Sequence, residues 1–180
     1  MNGEELIRLF GLDGVVYHPW VPGSGLHRPT AEFLSAVGLP TDGTFVSRAE
    51  PENSSPVPRR LGPLLDHRGR ACPPERRAWL VLGYLVTGLV VLDPLAGTVH
   101  SYPEGEEEGR PLHRDVQSFV LTLCAFRRLL DACAQDEDED SVEEHARAFR
   151  SAVTAVDPLP LADPGSEWNR LLDEVLEGMW

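Results

Sequence analysis

An α+β fold, with a central antiparallel β-sheet covered by helices in a single domain over 1–180, is what this 180-residue sequence predicts, and three stretches carry the prediction. Valine- and leucine-rich runs at 79–86 and 89–92, followed by another strand pattern at 98–102, are joined by connections so short that the strands must be antiparallel neighbours. A helical period runs from Asp115 to about Ala134, and a second apolar stripe ends the chain. One core is expected, because a chain of this length buries about 70% of its unfolded surface.

Glu4 to Phe10 is expected to be a short helix, with Leu6, Leu9 and Phe10 at helical spacing and Gly11 ending it. Val15 to Tyr17 follow the Asp13-Gly14 turn as a short strand, and prolines and glycines make 18–29 a loop. Thr30 is placed as the N-cap of a helix that presents Phe33, Leu34 and Val37 and closes at Gly38. Thr44 to Arg48 is a strand, 50–58 a polar loop, and 72–74 a turn. Thr87-Gly88 turns the first two strands of the meander, with glycine supplying a positive φ. Asp93 to Gly97 turns the next pair, and continuous apolarity along the first two strands requires cover on both faces.

The long helix from Asp115 turns Val116, Phe119, Val120, Leu123, Phe126, Leu130 and Cys133 inward. Another helix spans roughly Ser141 to Val153, and the prolines at 158, 160 and 164 stiffen the connection after it. Asp163 as N-cap and Pro164 at the first position then open a last helix, whose stripe is Trp168, Leu171, Leu172, Val175, Leu176 and Met179. That stripe is expected to dock on the domain's own sheet.

No chemistry is announced by motif. Cys72, Cys124 and Cys133 lack the close pairing of a zinc site, and the six histidines are scattered singly, so no metal is expected. Gly23-Ser24-Gly25 lacks the spacing of a serine elbow, and Gly11-Leu12-Asp13-Gly14 has neither the glycine spacing nor the lysine of a phosphate loop. No cofactor is expected. Cys72 near His67 leaves a small thiol hydrolase as a minor alternative to a chain that is not an enzyme. The amino terminus has no secretory pattern, and the most apolar run is well short of the roughly 20 residues of a membrane span, so the expected setting is the cytoplasm.

Charge is the unusual feature. Arginine supplies all 16 basic residues against 29 acidic ones, a net −13, which disfavours binding to nucleic acid or to an anionic membrane. Twelve of the acids lie in two runs, Glu104 and Glu106 to Glu108, and Asp131 to Glu144; removing them leaves −1 for the rest of the chain. Both runs are read as connections. Glu104, Glu106, Glu107, Glu108, Asp136, Glu137, Asp138, Glu139 and Asp140 are therefore the candidate contacts for a basic partner, the alternative being that they only solubilise loops.

Thr30 to Pro40, ending in Val37-Gly38-Leu39-Pro40, resembles the early helix of SUKH superfamily immunity proteins, in particular the fourth SUKH group. Leu82-Gly83, Leu89 to Pro94 and Gly97-Thr98-Val99 resemble that group's strand–turn–strand, and the helices from Asp115 and at Trp168 sit where the family has its own. The resemblance covers about 30–178. Family members often begin the long helix with Asn-Ser-Ser, where this chain has Arg114 to Ser118, and the acidic insertion after that helix is its own. What the resemblance implies is an α+β domain that binds and neutralises a cognate toxin of a bacterial polymorphic or contact-dependent system. It transfers no catalytic residue, and the toxin is expected to be a protein with a basic face, such as a nuclease or deaminase. A regulatory scaffold of the same fold is the runner-up. Stoichiometry and oligomeric state are left open.

Overall fold

Pairing of apolar strands organises the molecule. The computed structural model describes residues 2–19, 25–47, 59–86, 88–103, 108–136 and 138–180. Strands β3 (Phe45–Ser47), β4 (Leu80–Leu85), β5 (Gly88–Leu92), β6 (Val99–Pro103) and β7 (Arg110–His113) form one antiparallel sheet in that order. The expected three-strand meander is its centre. Outside it, β1 (Val15–Val16) pairs with β2 (Leu39–Pro40) as a separate two-stranded ribbon.

Both faces of the central strands are covered, as their unbroken apolarity requires. Leu80, Leu82, Leu85, Val90, Leu92 and Val99 join the main core, under helices α1 (Gly3–Phe10), α2 (Arg28–Ala36), α4 (Val116–Cys133), α5 (Glu139–Val156) and α6 (Glu167–Leu176). Val81, Leu89, Val91 and Tyr102 face the other way, onto Leu61, Leu64 and Leu65 of α3 (Leu61–His67). A bulge between Val81 and Gly83 shifts the β4 register, which increases local twist.

Several local expectations need correction. Helix α2 is capped three residues earlier than expected: its N-cap is His27, not Thr30, and Pro29 occupies the first turn, where a missing N–H costs nothing. The Thr30 hydroxyl is engaged with the His27 ring instead, 3.0 Å from Nδ1. Helix α3 is an element that the sequence reading left unassigned; Pro63 falls within its first turn. Its leading N–H groups are satisfied from outside the helix, Leu61 donating to the Trp79 carbonyl and Gly62 to that of Arg77.

Strand β7 was missed because Arg110-Pro111-Leu112-His113 has no β-rich composition, and a proline is tolerated only because the strand is an edge. Helix α6 is capped by Ser166, whose hydroxyl accepts from Asn169 N–H at 3.2 Å; Asp163 instead closes a turn onto Gly165 N–H. In the last stripe Trp168, Leu171, Leu172 and Val175 are buried, whereas Leu176 and Met179 are exposed. On α4, Leu130 and Cys133 are only half-buried, while the other inward residues are fully covered.

The turn at Asp93 to Gly97 has the expected form. The Asp93 carboxylate accepts from Leu95 and Ala96 N–H, and Gly97 has φ 78°. Gly88 plays a different part from the one expected: it is the first residue of β5, and a Cβ there would collide with the Tyr102 carbonyl oxygen and lie 2.8 Å from Pro103 Cα. Close strand approach, not a positive φ, calls for glycine. Gly88→Ala should therefore cost about 1–3 kcal/mol, read as a lower urea midpoint at unchanged slope. Gly43→Ala, where an added Cβ meets nothing within 4 Å, should stay within about 0.5 kcal/mol of wild type.

Candidate interaction surface and the buried polar network

Cys72 is half-buried and free, and its S–H donates to the Pro73 carbonyl at 3.7 Å. Burial pushes this thiol above its ordinary pKa, against the pull of Arg77 and Arg76, so it is held as the unreactive thiol. Among the described residues, His67 makes no hydrogen bond to it. No group of three or more metal-ligating side chains is present among the described residues. No described helix is long and apolar enough to cross a membrane.

A cluster that sequence reading missed lies at the centre of the core. Trp168 on α6 donates its indole N–H to His113 Nε2 at 2.9 Å, so that nitrogen carries no proton and the neutral ring has its hydrogen on Nδ1. Nδ1 faces the Ser118 hydroxyl at 3.3 Å and Asp157 Oδ2 at 3.7 Å. Ser118 in turn donates to Asp157 Oδ2 at 2.9 Å. The carboxylate also accepts from Arg114 N–H at 2.9 Å and Leu159 N–H at 3.1 Å.

Serine, histidine and aspartate are thus together, but not as a nucleophilic triad. In such a triad histidine lies between the other two and uses a free nitrogen as base; here Ser118 lies between them and Trp168 occupies Nε2. His113 is 0% exposed and Ser118 is 1% exposed, so no substrate reaches the hydroxyl. The arrangement is a structural tie. Burial lowers the His113 pKa below 6.5. Burial alone would raise that of Asp157, but hydrogen bonds from His113, Arg114, Leu159 and Ser118 outweigh it and hold the carboxyl well below its usual range.

A second missed residue is Arg76. Its guanidinium lies 5.2 Å from the Trp79 ring centroid and donates to Tyr102 Oη at 3.2 Å and to the Gly109 carbonyl at 3.4 Å. It braces both sides of the β6–β7 connection that carries the first acidic run. Nothing in Pro73-Pro74-Glu75-Arg76-Arg77 signals this role.

Of the candidate contact residues, Glu104, Glu106, Glu107 and Glu137 lie outside the described residues. Glu108 is exposed, just before β7. Asp136 and Asp138 are exposed where α4 gives way to α5; Asp138 is the α5 N-cap position, with its N–H donating to the Asp136 carboxylate at 3.3 Å. Glu139 begins α5 and Asp140 is exposed in its first turn. The second acidic run is therefore not wholly a connection: from Glu139 to Glu144 it is helix, where acids favour the positive end of the dipole. Asp131 is on α4 and is paired with Arg127 at 2.9 Å.

Beyond these acids, grooves lie on either side of α5. One, of about 210 Å³, runs between α4 and α5 and includes Ala125, Ala132, Ala148 and Ala152. The other, of about 510 Å³, lies between α5 and α6, with Val142, Ala146, Val175 and Leu176 among its lining residues. Trp180 packs its ring 5.6 Å from that of Phe126 and donates to Glu174 at 3.0 Å.

Comparison with known proteins gives one finding. The model of a family described as SUKH-4 immunity protein matches residues 1–174. The match begins nearer the amino terminus than the stretch of about 30–178 on which the sequence resemblance rested. No curated protein and no solved structure matches the chain.

The network makes stability depend on pH. Because the folded pKa of His113 lies below its unfolded value of 6.5, the unfolded chain binds more protons as pH falls, and stability present above about 6.5 is progressively lost below it. Asp157 adds a further loss below its unfolded value of 3.8. Buried His18 and half-buried His100, also shifted down by burial, act in the same direction as His113. Urea unfolding should show lower stability at pH 5 than at pH 7.5. Trp168→Phe should cost about 1–3 kcal/mol at pH 7.5, by leaving a buried acceptor unpaired, and should flatten that pH dependence by freeing Nε2 to take a proton.

Proposed function

The chain belongs to the SUKH-4 immunity protein family, and we propose that it neutralises a cognate bacterial toxin by binding it directly, with no catalytic step of its own. The family match over residues 1–174 is the observation that carries this reading. Two positive features agree with it: the Cys72 thiol is held protonated, and the Ser118 hydroxyl is sealed inside the core.

The toxin is a protein acting in the cytoplasm, with a basic face of the kind that a nuclease or deaminase uses to hold its substrate. A net charge of −13 concentrated in two runs attracts such a face and orients its approach. It also disfavours nucleic acid or an anionic membrane as the immunity protein's own target.

Co-expression with the toxin encoded by the adjacent gene tests this directly. Wild type should restore growth and co-purify with the toxin, and Cys72→Ala should do so equally well. Neutralising Glu106, Glu107 and Glu108 to glutamine, or separately Asp136, Asp138 and Asp140 to asparagine, should weaken binding about threefold to tenfold for the run that faces the toxin. It should also flatten the salt dependence of association. Absence of both binding and protection in wild type would refute the proposal.

A further inference from the structure

Nine large apolar side chains are exposed among the described residues, and three of them fall within the last five positions: Leu176 at 42%, Met179 at 60% and Trp180 at 45%. Leu176 lines the groove of about 510 Å³ between α5 and α6, with Val142, Ala146 and Val175. A groove of this size, lined by both apolar and charged side chains and beside a concentration of exposed apolar ones, is the form of a protein contact rather than of ordinary scattered surface.

The charge around the groove has a direction. Helices α5 and α6 run antiparallel, since Arg150 meets Asn169 Oδ1 at 2.6 Å while the earlier Val142 and the later Leu176 share the groove. Glu143 and Glu177 therefore mark one end, which is acidic, while Arg147 and Arg150 line the groove farther along α5. Among the described residues, the side chains of Glu143, Glu177 and Arg147 take part in no ion pair or hydrogen bond. Glu143 also belongs to the acidic run that ends at Glu144, so the groove includes a member of that run.

We propose that the α5–α6 groove is the toxin-docking site, and that it receives a surface segment of the toxin carrying an apolar side chain next to a basic one. The apolar side chain seats against Val142, Ala146 and Leu176; the basic one meets Glu143 and Glu177. The acidic first half of α5 steers the approach, and the groove supplies the desolvated contact that holds the complex. This assignment rests on the immunity reading above and adds to it the surface and the partner's chemistry.

The test measures affinity for the purified toxin domain encoded by the adjacent gene, using wild type and three variants. Leu176→Asp and the double variant Glu143→Arg/Glu177→Arg should each bind at least tenfold more weakly and protect cells less, with thermal midpoints unchanged because all three positions are exposed. The double variant should also lose the fall in affinity with added salt. Leu95→Asp, at a position 78% exposed on the β5–β6 turn, should bind as wild type. Wild-type affinity in both groove variants overturns the docking site while leaving the immunity function standing, and tighter binding by the charge-reversed variant overturns the basic partner. If wild type itself neither binds nor protects, the underlying reading falls with it.

Discussion

A single hydrogen bond, from the Trp168 indole to His113 Nε2, fixes the relation between the sheet and the helices that cover it. It joins α6 to the edge strand β7 and dictates the His113 tautomer; that tautomer turns Nδ1 toward Ser118 on α4 and Asp157 at the end of α5. Four elements, β7, α4, α5 and α6, thus meet in one geometry with its donors and acceptors matched. Around it, the Trp168 ring lies 5.8 Å from Phe126, 6.4 Å from Phe119 and 6.5 Å from Phe149. Phe119 continues the cluster edge-on to Phe45 of β3 at 5.1 Å. Apolar packing supplies the bulk of the attraction, while the polar chain removes alternative placements, because any shift of α6 would strand buried groups.

That constraint shapes the surface as well as the core. Trp168, Leu171, Leu172 and Val175 hold α6 in place, and Ala146, Phe149 and Val153 bury the inner face of α5. The opposite side of α5 is left to arginines and acids, and the step between the two helices remains open as a groove. The acids at the start of α5 have a local reason to be there, since they complement the helix dipole. Their excess over nearby arginines makes the same turns available to a basic partner. On the other face of the sheet, Arg76 performs a comparable bracing task at the base of the β6–β7 connection.

Much of the fold was legible because it rests on local pattern. The long helix after Asp115 has its cap in place, with the carboxylate accepting from Ser118 N–H at 2.7 Å, and strands β4 to β6 follow their apolar runs. What escaped was set by tertiary context. Helix α3 forms although Gly62 and Pro63 argue against it, because Leu61, Leu64 and Leu65 cover a sheet face that would otherwise be wet. Strand β7 pairs through its backbone, with little help from its composition. Of the candidate surface, the concentration of acid was readable by counting, but the start of α5 at Glu139, two residues before the expected Ser141, was not. The polar network left no sequence signal at all: His113, Ser118, Asp157 and Trp168 each have an ordinary local explanation, and only the fold brings them together.

In the proposed complex, α5 and α6, locked to the sheet through Trp168, are the rigid face that meets the toxin. Amide hydrogen exchange, compared between the free protein and its complex with the toxin domain encoded by the adjacent gene, measures this most directly. Slowed exchange on binding should centre on the first half of α5 and the last turn of α6, with the interior strands β4 to β6 unchanged. Protection confined to α3 and the sheet face beneath it, with α5 and α6 exchanging as in the free protein, would contradict the account.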